Sequence, residues 1–166
     1  MRNELAKFRK KYAPEWGAPG AYVLVPLQLE TDSNFVGNGF DTMQEFIDHC
    51  VERFPDDTIM FKAHPKDAGR PFETHGHKII REDSKVMTAA RYAKLVYGVS
   101  STALLECAMI EGLPVQAIGK SFLNLPYDQE TILAALLAHQ VHKNDTGLPA
   151  HVIDALELPY IETLTH

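Results

Sequence analysis

The sequence predicts a doubly wound α/β domain built on a mostly parallel sheet. Three observations lead there. Short apolar runs alternate with amphipathic helical stretches along the chain, the signature of repeated βαβ units. The first run, AYVLV at Ala21–Val25, is continuously apolar, as a strand buried on both faces must be. The length, 166 residues with 45 % hydrophobic, is that of one domain with a core of its own.

The elements follow in order. Met1–Tyr12 is basic and helix-prone, and Ala13–Gly20 carries Pro14, Gly17, Pro19 and Gly20, a chain reversal or linker in which Trp16 anchors on a neighbouring surface. Residues 1–20 are therefore read as an N-terminal helix and interdomain-type linker, and 21–166 as the α/β domain. Pro26 ends the first strand, because it cannot donate to a ladder. A loop, Leu27–Asn38, precedes a helix over Asp41–Phe54, where Met43, Phe46, Ile47, Cys50, Val51 and Phe54 share one face. Asp41 and Gln44 have capping-box spacing, and Pro55 stops the helix. Strands are expected at Thr58–Lys62, His77–Ile80, Lys94–Gly98 and Pro114–Ile118. Helices are expected at Ser84–Tyr92, Ser101–Glu111, Gln129–His142 and Ala150–Leu156. Gly112 and Pro114 supply the usual helix-stop signal after Glu111.

Composition narrows the function classes. Net charge is −6, which argues against a generic nucleic-acid binder. The charged stretch Met1–Lys11 has no apolar signal core, and no apolar run approaches the roughly 20 residues of a membrane span. Cys50 and Cys107 fall on apolar helix sides as small buried hydrophobes, with no disulfide framework, which suits a reducing, cytoplasmic setting.

In such a sheet ligands bind outside the carboxyl ends of the strands, so the loops there carry the chemistry. Three stand out. Gln28–Gly39 (QLETDSNFVGNG) is long and polar, and Gly37 and Gly39 allow close backbone approach. It reads equally as a ligand loop or a flexible surface loop. FKAHP places Lys62 and His64 on alternate residues, so both face one side of the strand end; a surface lysine and a half-buried histidine is the plainer reading. GVSST sets Ser100, Ser101 and Thr102 at a helix start, where hydroxyls meet free N–H groups. Simple N-capping explains one serine but not three hydroxyls. His75 and His77 (HGH) lack a third ligand at metal spacing, so no metal site is expected. Glu82 and Asp83 form a polar turn.

Taken together, YVLVPLQLETDSN, then FKAHP, then LVYGVSSTALLECAMIEGLPVQAIG resembles the capsule polysaccharide biosynthesis family, which includes bacterial Kdo transferases. The HP and Ser-Ser/Thr motifs also recur in bacterial GT-B sialyltransferases. The resemblance spans Tyr22–Phe122 and implies the Rossmann-like C-terminal, donor-binding half of a GT-B glycosyltransferase. It implies a CMP-activated sugar as substrate, with no further cofactor and no metal. By position, His64 and Pro65 match the HP motif beside the donor phosphate. Ser100 and Ser101 match the phosphate-binding hydroxyls, with Thr102 as neighbour. Lys62 matches the lysine near the cytosine, and Gln28, Asp32 and Ser33 match the polar loop at the domain cleft. Glu82 is the candidate ribose ligand, and Asp32 the candidate catalytic carboxylate.

A GT-B enzyme has two such domains, and this chain resembles one. The other half is expected from an N-terminal domain or a partner chain, with a polysaccharide or glycolipid acceptor. The location implied is cytoplasmic, peripheral to the inner membrane through partners. Two rival readings remain: a non-catalytic nucleotide- or phosphate-binding module, and a GT-B relative using a UDP-sugar.

Overall fold

A computed structural model describes residues 2–13, 20, 22–33, 35–82 and 84–138. Along the chain run α1 (Arg2–Tyr12), β1 (Tyr22–Pro26), α2 (Met43–Arg53), β2 (Thr58–Lys62), β3 (Lys78–Ile80), α3 (Val86–Ala90), β4 (Ala93–Gly98), α4 (Thr102–Ala108), β5 (Val115–Ala117) and α5 (Gln129–Ala138). Short 3-10 turns occupy Pro65–Asp67 and Phe122–Asn124. The five strands form one sheet in the order β3-β2-β1-β4-β5, and every neighbouring pair is parallel. The chain thus winds outward from β1 to β3, then restarts on the other side of β1 with β4. The α/β, doubly wound expectation is met. Trp16, the 14–19 linker, Asp83, the end of the Gln129–His142 helix and the Ala150–Leu156 helix lie outside the described residues.

Two apolar layers sandwich the sheet. Val23 and Val25 of β1 join Ile59, Phe61 and Tyr97 under Phe46, Ile47 and Cys50 of α2. Leu24, between them in sequence, faces the opposite way and packs with Val96, Val86 and Ala90 of α3, and Leu104 and Cys107 of α4. All three β1 residues are fully buried. Each such aliphatic side chain contributes about 1.5–3 kcal/mol on leaving water. α1 joins the second layer at its edge, where Leu5 packs with Ala108, Leu133 and Ala134.

Two backbone features admit residues that the layers would otherwise reject. The β1–β4 register shifts after Tyr22↔Ala93 to Val23↔Leu95, so β4 holds one extra residue, Lys94. The bulge lets this lysine leave a central strand and pair with Asp57. At the other end of β4, a Cβ on Gly98 would sit 3.0 Å from Leu104 Cδ2, so glycine is what allows α4 to lie close on its strand.

Several boundaries differ from the sequence expectation. The α2 capping box is one residue later than Asp41 and Gln44. Thr42 is the N-cap, its hydroxyl accepting from Glu45 N at 3.2 Å, while Glu45 Oε2 accepts from Thr42 N at 3.4 Å and Asp41 N at 2.8 Å. Both registers fit the box pattern; the carboxylate wins because it takes two N–H groups at once, and Gln44 instead exchanges hydrogen bonds with Glu73. β3 begins at Lys78, because His77 turns its Nδ1 onto Ile59 N at 3.2 Å. α3, α4 and β5 are shorter than Ser84–Tyr92, Ser101–Glu111 and Pro114–Ile118, with turns following α3 and α4, and β4 starts one residue earlier than Lys94.

The cap assignment is testable by urea denaturation. Thr42→Ala is expected to cost about 1 kcal/mol. Asp41→Ala is expected to stay within about 0.5 kcal/mol of the parent, as an exposed side chain outside the cap should.

Candidate functional site

The strand order reverses between β1 and β4, so the connections leaving their carboxyl ends go to opposite faces of the sheet, where a ligand crevice usually forms. The backbone there stays fixed by ladder bonds running past the strands: Leu27 N to Lys62 O at 2.8 Å, Ala63 N to Ile80 O at 2.9 Å and Gly119 N to Val99 O at 2.8 Å. An open cleft of about 480 Å³ lies against these ends, on the α3–α4 side of the sheet. Pro26 and Leu27 come to it from β1, and Lys62, His64 and Pro65 from β2. Ser84, Lys85 and Val86 enter from the start of α3, and Ser101, Thr102, Ala103 and Glu106 from α4.

Lys62 has the strongest physical signature. It is 5 % exposed, and its Nζ donates to the Glu82 carbonyl at 3.1 Å. No carboxylate pairs with it among the described residues. An ammonium has three donors, so two remain for whatever enters the cleft. A buried cation without a counter-charge is costly, and proteins rarely keep one without use.

His64 caps the 3-10 turn at Pro65, its Nδ1 accepting from Lys66 N at 3.2 Å. With Nδ1 an acceptor, the neutral ring carries its proton on Nε2, a donor. Ser101 caps α4, its Oγ accepting from Ala103 N at 3.0 Å. That bond uses a lone pair and leaves the hydroxyl proton to donate.

The other expected residues lie outside the lining of this cleft. Ser100 ties loops together: its N–H donates to Gln28 Oε1 at 3.2 Å, and its hydroxyl donates to the Lys120 carbonyl. Gln28 is 3 % exposed, and its Nε2 has no partner among the described residues. Asp32 shapes a turn, its carbonyl accepting from Phe35 N at 2.8 Å and Val36 N at 3.1 Å, and Ser33 is exposed. Gly37 and Gly39 have φ of 75° and 96°, and a Cβ on either would meet nothing within 4 Å, so backbone handedness and not close approach explains them. Glu82 serves through its carbonyl, which also accepts from Ser84 N at 2.8 Å. His75 and His77 take Asp48 and Ile59 N as partners, and no cluster of three metal-ligating side chains occurs among the described residues.

Sequence reasoning missed Ser84, Lys85 and Glu106. Glu106 stands one helical turn beyond Thr102, a spacing that could have flagged it once Ser101 was taken as the cap. Lys85 carried no such signal, since only the crossover from β3 brings it back over the sheet.

The two loops nearest the site are braced. Glu30 Oε1 accepts from Met43 N at 2.7 Å and Arg70 Nη2 at 2.8 Å, joining the loop after β1 to the segment after His64. The Arg70 hydrogen bond, followed by that from Met43, holds the Glu30 carboxyl below its ordinary 4.5. Its stabilising contribution is therefore full above that value and is lost as pH falls through the depressed one.

The uncompensated charge of Lys62 makes a prediction. Lys62→Met is expected to melt at or above the parent temperature, since relief of a buried charge offsets the lost bond to Glu82. A fall of more than about 1 kcal/mol would show that the strut to the carbonyl outweighs the charge.

Among known proteins, the chain matches the family described as capsule polysaccharide biosynthesis protein over residues 2–127. Two solved structures from Thermosulfurimonas dismutans share the fold. One is KpsC, beta Kdo 2,7 transferase, at TM-score 0.62 and 22 % identity, covering 81 % of this chain and 51 % of that one. The other is KpsC, beta Kdo 2,4 transferase, at TM-score 0.57 and 23 % identity, covering 74 % of this chain and 44 % of that one. The chain thus spans about half the length of these structures. No curated protein gives a significant match. With the family match covering most of its length and the sheet order to go with it, the chain belongs to the capsule polysaccharide biosynthesis protein family.

Proposed function

We propose that this chain binds the nucleotide-sugar donor, a CMP-activated sugar of the Kdo type, for a GT-B glycosyltransferase of capsule or related surface-polysaccharide synthesis. One observation carries the reading: Lys62, buried and without a carboxylate partner among the described residues, lines the same cleft as His64, Ser101 and Thr102. These are the donors a monoester or diester phosphate needs.

In glycosyl transfer the bond from the anomeric carbon to the phosphate oxygen breaks, and CMP leaves with growing negative charge. Groups aimed at that charge lower the barrier if they are already in place. Lys62 supplies full charge in a poorly hydrated position, His64 an imidazole N–H, and Ser101 and Thr102 hydroxyl donors. The apolar walls, Pro26, Leu27, Ala63 and Val86, lower the local dielectric and strengthen those interactions. Ser100 and Gln28 act on this reading through the loop they hold. The acceptor and the remaining catalytic group come from a second Rossmann-like half, as an N-terminal domain or partner chain, with Asp32 the candidate carboxylate on this side. The enzyme works in the cytoplasm against the inner membrane, held there by partners; no described helix is long and apolar enough to cross a membrane.

Calorimetric titration tests the binding step. CMP is expected to bind more tightly than UMP, AMP or UDP. His64→Ala and Ser101→Ala are each expected to weaken it about tenfold or more, the loss of one charge-assisted hydrogen bond. CMP binding unchanged in both variants would remove the phosphate assignment. A transferase assay tests the division of labour. The chain alone should give no turnover from CMP-Kdo, and turnover should appear when the complementary half is added. Turnover by the chain alone would place the base within these residues, with Asp32 the first to mutate.

A further inference from the structure

We infer that Lys85 is a specificity residue that reads a second anionic group on the donor, the carboxylate of a 2-keto sugar acid. This rests on the donor-binding reading above and extends it from the nucleotide to the sugar.

The cleft holds two lysines at different depths. Lys62 is buried, whereas Lys85 is exposed at the N-cap position of α3. Both line the cleft, with Glu106 the one carboxylate among the described lining residues. The Lys85 ammonium has no hydrogen bond or ion pair with any described residue. Its backbone, by contrast, is well held. Glu82 O accepts from Lys62 Nζ at 3.1 Å and from Ser84 N at 2.8 Å, and Lys85 O accepts from Thr88 N at 3.0 Å. The ammonium of Lys62, a residue of the same lining, therefore holds the Glu82 carbonyl, three residues before Lys85.

A nucleoside monophosphate uses one strong cation. A second on the same lining, unpaired among the described residues, matches a ligand that carries a second anion. In a CMP-activated 2-keto sugar acid the carboxylate is bonded to the anomeric carbon, the carbon that also bears the phosphate oxygen. The two anionic groups are thus separated by one carbon and one oxygen. A neutral aldose donor has no such group. A nucleoside diphosphate sugar also has a second anion, so it is the competing ligand chemistry that the experiment must separate.

The test is calorimetric titration of the wild-type chain and Lys85→Gln with CMP, freshly prepared CMP-Kdo and a UDP-hexose. Glutamine keeps the length and removes the charge, and thermal melting checks that the exposed substitution leaves the fold intact. Wild type is expected to prefer CMP-Kdo over CMP. Lys85→Gln is expected to bind CMP within twofold of wild type and CMP-Kdo about fivefold more weakly, the scale of an exposed ion pair. Raising the salt should erode the wild-type preference in the same direction. The assignment is overturned by unchanged CMP-Kdo affinity, by equal weakening for CMP and CMP-Kdo, by a wild type without preference between them, or by a selective loss for the UDP-hexose. A wild type that binds no nucleotide at all overturns the donor-binding reading and this assignment together, a pattern distinct from the other four.

Discussion

A parallel strand buried on both faces needs hydrogen-bonded neighbours on both edges and apolar cover above and below. β1 meets all four demands, with β2 and β4 beside it, α2 on one face and α3 with α4 on the other. Because right-handed crossovers must leave β1 for β2 and β4 for β5 in opposite directions, their helices fall on opposite faces. The chain ends of β1 and β4 are then left without a helix between them. The crevice is thus a consequence of burying one strand completely. Gln28 and Ser100 bridge it, through the side-chain carbonyl of one and the backbone N–H of the other.

Lys62 shows how the site departs from the rest of the core. Its neighbours along and across the sheet, Phe61, Pro26 and Ile80, are apolar, yet here a cation is nearly sealed with one neutral acceptor. A local conflict of this kind weakens the fold unless something else compensates, and such conflicts gather at functional sites. Gln28 Nε2 is a second one, a buried donor without an acceptor among the described residues, at a cost on the order of 1–3 kcal/mol. Both lie at the carboxyl end of the sheet.

The sheet was legible in the residues because continuous apolar runs and Pro or Gly punctuation are local signals. Each of the five strands and α1 to α5 was expected within a few residues of its place. Boundaries were less so, as with Thr42 and Glu45, where two overlapping patterns compete and only hydrogen-bond geometry decides. The motifs FKAHP and GVSST did mark two loops that share a cleft, but not the division of labour inside the second. Ser100 and Ser101 look interchangeable in sequence; in the fold one turns toward Lys120 and the other lines the cleft. Lys85 was invisible for a different reason. Its place at the site depends on long-range crossover geometry, not on any neighbour in the chain.

The charge distribution bears on how such a cleft selects. The chain carries −6 overall, yet two lysines and one histidine line the cleft against a single glutamate. At physiological salt the Debye length is about 8 Å, so exposed charges beyond that distance have little say. Attraction of an anionic ligand must then come from the lining itself. Within it the two lysines lie at different depths, Lys62 nearly sealed and Lys85 exposed at the start of α3. On the donor-binding reading proposed above, the buried ammonium acts on any phosphate alike, and the water-exposed one adds less affinity and responds to what the ligand carries beyond its phosphate.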